Sequence, residues 1–230
     1  MSNLNWKHPS TALPPGGVAV LGAGSLGQQI AQYLVQNETG VLVGFFDDIH
    51  PSGTVTAHGP VLGPVSSIAA AFAKGQFGAL LMGIGYGHLV VRQCLFDELS
   101  GRGIPFATWV HPTAVIDLSV QLGPGCIVLA GCILDLNVVL GPNVFLYPGC
   151  LIAHDTQLAG HSFLAPGVRL AGHVQVDKRC FLGIGTTVID HLIVGPDVHT
   201  GGGAVVIRNL LVPGTYAGVP AELLSDGLKQ

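Results

Sequence analysis

Charge is scarce in this sequence. Only 10% of its 230 residues are Asp, Glu, Lys or Arg, against 49% apolar, and the net charge is −4. The nine Lys and Arg are scattered, so the clustered basic face that nucleic acid calls for is absent. Such an apolar chain raises the question of a membrane, but a long apolar run is missing too. Residues 18–37 carry no charge yet are broken by Gln, Asn and three Gly, and residues 77–91 hold four Gly. Neither is the roughly 20-residue apolar stretch that a bilayer requires. The N-terminus MSNLNWKHPSTALPPGG lacks the apolar core of a secretion signal. The expectation is a cytoplasmic protein with no membrane and no nucleic-acid partner. The five cysteines are odd in number and form no CxxC pair, which argues against both a disulfide framework and a structural zinc site.

What is present is a period of six. Cut from Trp109, the chain reads WVHPTA, VIDLSV, QLGPGC, IVLAGC and so on to LVPGTY. The second position is Val, Leu or Ile in 17 of 18 blocks, with Thr200 the exception. The sixth is small or aliphatic, and positions three to five collect Gly, Pro, Asp and Asn. Strands alternate every two residues and helices repeat near 3.6, so neither explains a period of six. It is the mark of a hexapeptide β-helix. Each block is a short strand ended by a turn, three blocks close a coil of 18 residues, and coils stack at about 4.8 Å. Cys126, Cys132, Cys150 and Cys180 all fall at position six and read as small buried hydrophobes.

The same register sorts the polar residues. His154 takes position four, a corner where Pro stands in six other blocks, and Asp155 follows it. Gly172 lies one coil above His154, His173 above Asp155, and His191 above that. A histidine beside an acid and a bare glycine backbone suits a general base. A solvated turn histidine has the same spacing, and spacing alone leaves both readings open.

Residues 16–108 lack the six-fold period and read as alternating strands and helices, a small Rossmann-like parallel α/β domain. Strands are expected at VAVLGA, VLVGFFDD and FGALLMGIG, helices over SLGQQIAQYLVQ and near 66–74 and 88–100, and a loop up to about Gly63. GAGSLG at 22–27 fits GxGxxG between a strand and a helix, and Asp47 lies 20 residues beyond Gly27. A dinucleotide, a nucleotide sugar and a tight turn that binds nothing are all compatible with that pattern. The expected organisation is an N-terminal tail at 1–15, the α/β domain at 16–108, the β-helix at 109–216 and a C-terminal tail at 217–230.

The stretches GAGSLG, GFFDD, MGIG, HPTAVI, AHDTQLAGHSFLAPG, GIGTTV and GGGAVVIRNLLVPGTYAGVPA span about 17–222. Together they resemble the sugar O- and N-acyltransferases of the left-handed β-helix superfamily. The nearest groups are those that N-acetylate nucleotide-linked amino sugars and the sialic-acid O-acetyltransferases. The resemblance implies a left-handed coil, a homotrimer, acetyl-CoA as co-substrate and no metal. It makes His154 the catalytic base and Asp155 the acid that orients it. It places acyl-CoA along Gly172, Ile184 and Gly202, and the nucleotide sugar at Gly22, Gly24, Asp47, Asp48 and Gly83. The implied activity is acetyl-CoA-dependent N-acylation of a nucleotide-linked amino sugar for surface polysaccharide; O-acetylation of a sugar and non-catalytic nucleotide-sugar binding are the alternatives. The chain departs from the family pattern at Leu26 and Phe163, where many relatives have His, at Tyr147, where many have Asn, and at Ala153, where Glu is common. The γ-type carbonic anhydrases share the prism, but their zinc-binding histidines lie five residues apart, and no two histidines in 109–216 do so.

Overall fold

The computed structural model describes residues 13–224. The expected N-terminal tail thus lies mostly outside the described residues, as does the end of the C-terminal one. The chain divides into two units, Ala12–Trp109 and a second that begins at Val110.

In the first unit a four-stranded sheet has the order β3-β2-β1-β4. Its strands are β1 Val18–Leu21, β2 Leu42–Phe46, β3 Val61–Gly63 and β4 Ala79–Met82. All three pairings are parallel. Helix α1, Ser25–Gln36, buries Leu26, Ile30, Ala31 and Leu34, an i, i+4, i+5, i+8 stripe that suits a helix lying on a sheet. Helix α2 runs Ile68–Ala73 behind a 3-10 turn at Val65–Ser67, and α3 runs Leu89–Gly101. Phe46, Phe77, Leu80, Phe96 and Phe106 fill the core. Strand β3 lies where the sequence reads as loop. It is three residues long and stands between Pro60 and Pro64, too short to show a period. The chain builds β1, β2 and β3 to one side and then crosses to β4 on the other. The carboxyl ends of β1 and β4 therefore form the switch point at which open α/β sheets bind ligands.

The second unit is a parallel β-helix of two-residue rungs. Three sheets form its faces. One includes Ile127–Val128, Phe145–Leu146, Phe163–Leu164 and Phe181–Leu182; the second runs from Val115–Ile116 to Val205–Val206; the third runs from Gln121–Leu122 to Ile193–Val194. The register advances by 18 residues per coil, as in Phe145↔Phe163↔Phe181 and Leu151↔Arg169↔Thr187. Position-two side chains, such as Leu146, Ile152 and Leu158, make one continuous core. Beyond the last regular coil, Gly214–Ala217 adds a parallel strand, and Glu222–Leu223 pairs antiparallel with it. Part of the stretch expected as tail is thus in the sheet.

Two positions in each block carry the turn. Position five is left-handed throughout 125–203, with φ between 55° and 74° at Gly125, Asn137, Asp155, Gly167, His173 and their equivalents. Where position six is Cys, Ser or Thr, it supplies a polar hydrogen that the buried corner can satisfy. Cys126, Cys132 and Cys180 Sγ point at the carbonyls of Gly141, Tyr147 and Gly195 at 3.0–3.1 Å. Thr156 and Ser162 hydroxyls donate to Ala171 and Asp177 at 2.8 and 2.9 Å. Each partner lies 15 residues ahead, on the next coil. The four prism cysteines are wholly buried, and burial pushes the Cys180 thiol up to about 12. They are core, not nucleophiles.

Candidate active site

One edge of the prism, where the turns after the second sheet stack, carries the polar residues singled out above. Reading up position five, Ser119, Asn137, Asp155, His173 and His191 follow one another, one per coil. His154 and Gly172 are their neighbours at position four. The backbone ties the rungs together: His173 N–H donates to the His154 carbonyl, and His191 N–H to that of Gly172, both at 3.0 Å.

His154 leaves the prism, its side chain 49% exposed. Its Nδ1 lies 2.9 Å from Asp155 Oδ2. Asn137 Nδ2 donates to the other oxygen, Oδ1, at 3.0 Å. The hydrogen bond from His154, with that from Asn137 second, holds the Asp155 carboxyl below the usual carboxylate range. Asp155 is therefore ionised at neutral pH and can only accept. The proton between the two groups belongs to His154 Nδ1, so the neutral imidazole carries its lone pair on Nε2. A Cβ on Gly172 would lie 2.7 Å from His154 Cε1 and 2.8 Å from Nε2, so only glycine leaves the imidazole its place. His173 approaches the same carboxylate, Nε2 to Oδ2 3.8 Å. The donor atoms of His154, Asp155 and His173 lie within 4.8 Å of one another, near enough to take a cation if the His154–Asp155 hydrogen bond opened.

Ile184 and Gly202 stack on a different edge, at the turns after the first sheet, and a Cβ on Gly202 would lie 2.9 Å from Ile184 Cγ2. A single chain thus brings Gly172 to His154 but leaves Ile184 and Gly202 on the other border of the second sheet. That sheet presents Val115, Ile133 and Leu151 outward, all exposed. His161 lies on the third edge, buried, with Nδ1 3.1 Å from Asn143 Nδ2. Tyr147 and Phe163, two of the departures from the family pattern, pack on each other and on Phe145, with ring centroids 4.7–5.4 Å apart. Each makes room for the other, away from the His154 edge.

In the first unit, Gly22, Gly24, Asp47, Asp48 and Gly83 gather at the carboxyl ends of β1, β2 and β4. Three glycines of this loop region are steric. A Cβ on Gly27 would stand 1.9 Å from the Gly22 carbonyl oxygen, one on Gly83 2.9 Å from it, and Gly22 itself has φ +104°. Gly24 caps α1 with an ordinary φ of −70° and open space around it. Asp47 is nearly buried. Its Oδ2 accepts from Ala23 N–H at 2.7 Å, and its Oδ1 accepts from the amides of Ile49 and His50 at 2.8 Å and faces His50 Nδ1 at 2.9 Å. Burial opposes its ionisation, yet the Ala23 and His50 hydrogen bonds win and bring its pKa to about 2. Asp48 Oδ1 accepts from Val65 N–H at 2.8 Å and stays exposed. Leu26 packs inward with α1. Arg92, buried in α3, donates to the Ile84 carbonyl beside Gly83. The sequence gives no sign of Asn137 or Arg92 in these roles, although the 18-residue register does set Asn137 below Asp155.

No protein-family model and no curated protein matches the chain. Solved structures do. The chain is similar to PerB from Caulobacter crescentus, solved with CoA and GDP-perosamine and described as a perosamine N-acetyltransferase. The identity is 29% and the TM-score 0.84, over 92% of this chain and 99% of that one. It is also similar to the acetyltransferase domain of PglB from Neisseria gonorrhoeae, at 26% identity and TM-score 0.83 over 90% and 98% of the two chains. That domain has also been solved with acetyl coenzyme A. WeeI from Acinetobacter baumannii shares the fold, with a TM-score of 0.74 at 24% identity over 90% and 99%. The fold of this chain is theirs, a small parallel α/β unit followed by a left-handed parallel β-helix, and it resembles the sugar acyltransferases over nine-tenths of its length.

Proposed function

We propose that the chain uses acetyl-CoA to N-acetylate a nucleotide-linked amino sugar, with His154 as general base and Asp155 orienting it. The observation that carries this reading is the free Nε2 of His154 on an open prism edge, under the bare backbone of Gly172. Likeness to an enzyme solved with CoA and GDP-perosamine supports the substrate class. Nε2 takes a proton from the attacking amine as the nitrogen bonds to the thioester carbonyl carbon. The tetrahedral adduct then collapses, the C–S bond breaks, and the proton held by His154 leaves with the CoA thiol. Asp155 keeps Nδ1 protonated and offsets the imidazolium charge.

Gly22, Gly24, Gly83 and the ends of β1 and β4 form the nucleotide-sugar pocket in this reading. Asp47 shapes the loop from behind and Asp48 is the acid free to reach the base or ribose. Gly172, Ile184 and Gly202 hold acyl-CoA through backbone in a groove between two copies of a homotrimer. The apolar outer face of the second sheet, which separates the two edges concerned, favours that arrangement. The protein works in the cytoplasm, where acetyl-CoA and nucleotide sugars are made.

The test is turnover on a panel of UDP-, dTDP- and GDP-linked amino sugars, with thioester loss followed and the product identified by mass. The expected result is amide formation with one nucleotide class, unaffected by a chelator. An ester product would establish O-acetylation instead. Tight binding of one nucleotide sugar with no acyl transfer would move the chain to the non-catalytic reading. Loss of rate on chelation, restored by zinc, would reassign the His154–Asp155–His173 cluster to a metal.

A further inference from the structure

We propose that His173 is a positioning residue for His154, acting through the Asp155 carboxylate that the two imidazoles share; the proposal rests on the reading of His154 as the base. Asp155 lies on an exposed edge, its side chain 38% accessible, where water competes for a carboxylate. Its Oδ1 is anchored from the coil below by Asn137 at 3.0 Å. Its Oδ2 bonds His154 Nδ1 at 2.9 Å, and His173 Nε2 closes over it from the coil above at 3.8 Å, in contact but beyond hydrogen-bond length. With one oxygen held from below and the other covered from above, the carboxylate plane is fixed and Oδ2 stays on Nδ1.

His173 is itself held. Its ring stacks on His191 with centroids 4.6 Å apart and planes at 9°, and meets the His154 ring edge-on at 5.2 Å and 88°. His191 in turn lies 3.9 Å from Asp190 Oδ2. The turn does not require this side chain. His173 has φ +58°, a conformation that glycine adopts at the equivalent position of six other turns, Gly125, Gly131, Gly149, Gly167, Gly185 and Gly203. Non-glycine residues hold the same conformation at seven further turns, Asn137, Asn143, Asp155, His161, Arg179, His191 and Asp197, so the turn neither requires nor excludes an imidazole; what marks His173 is its place directly above Asp155.

His173→Asn keeps the left-handed turn and removes the imidazole. The expected result is an unchanged melting temperature and unchanged KM for acetyl-CoA, with kcat lowered roughly five- to twenty-fold, a coupling within the usual range for contacting residues. His173→Gln, whose amide can reach the carboxylate, should restore most of the rate. In an Asp155→Asn background, His173→Asn should cost nothing more. A readout independent of turnover is the ¹⁵N spectrum of histidine-labelled protein. It should show His154 as the Nδ1–H tautomer in wild type and as a mixture in His173→Asn. If His173→Asn keeps the wild-type tautomer, or costs as much without Asp155 as with it, the proposal is overturned. If the tautomer shifts while wild type acetylates nothing, the coupling stands and the transferase reading falls.

Discussion

At the scale of single residues, burial and hydrogen bonding separate side chains that chemistry needs from those that hold the backbone. His154 is solvated and paired on one nitrogen only, whereas His161, a histidine seven positions on, is buried and bonded to Asn143. The six-residue register sets them on different edges, His154 at position four of its block and His161 at position five of the next, but spacing leaves the role of His154 open. Asp47 shows where sequence stops. An acid at a strand end reads as a ligand for a ribose, but its two oxygens are engaged by the Ala23, Ile49 and His50 amides. Such a preference depends on how the loop closes, and no spacing encodes that. With its pKa near 2 against an ordinary value of about 3.9, Asp47 stabilises the fold above pH 4. That contribution, about 2 kcal/mol, is lost as pH falls from 4 towards 2. Asp47→Asn, which sets an amide N–H against that of Ala23 or turns an NH₂ on the Ile49 and His50 amides, should lower stability by about that amount at pH 7. Urea unfolding at pH 7 and pH 3 checks it: the gap between variant and wild type should narrow at the lower pH. An equal gap at both would mean that the carboxylate charge is not what holds the loop.

At the scale of elements, the GAGSLG loop contains glycines of two kinds. Gly27 touches the Gly22 carbonyl, so a side chain there has nowhere to go, while the space at Gly24 is empty. The motif as written in sequence does not tell them apart; the close approach of β1, α1 and the chain after β4 does. Gly27→Ala should therefore unfold the first unit or lower its melting point steeply. Gly24→Ala should fold like wild type yet, if the proposed pocket is right, raise the KM for the nucleotide sugar several-fold, because a methyl group would intrude where the proposal sets phosphate against bare amides. Unchanged KM in a well-folded Gly24→Ala protein would remove that residue from the pocket. Strand β3 escaped sequence reading because three residues between prolines show no alternation. The rungs of the prism, also short, were legible because 18 blocks repeat one pattern and each repeat corroborates the last.

At the scale of the whole molecule, the repeat fixes a prism, and a prism has edges and faces but no deep cleft of its own. His154 with Gly172 and Ile184 with Gly202 occupy two edges of one chain, on either side of a face that exposes Val115, Ile133 and Leu151. Packing of equivalent prisms around a three-fold axis would bury that face and set one chain's His154 edge against its neighbour's Ile184 edge. Sedimentation equilibrium at micromolar concentration should give a trimer. Mixed trimers of His154→Asn and Ile184→Lys chains should regain part of the activity that each lacks alone. A monomer in the centrifuge would contradict this assembly and with it the shared groove.

The most direct measurement is acetyl transfer by His154→Asn at saturating acetyl-CoA and saturating nucleotide amino sugar. Asparagine keeps the polarity of the corner and disturbs no core, since the side chain is exposed, so folding and acetyl-CoA affinity should be those of wild type. Without a base, kcat should fall by roughly 10² to 10⁴. A variant that turns over as fast as wild type would make His154 a solvated turn residue and contradict the account.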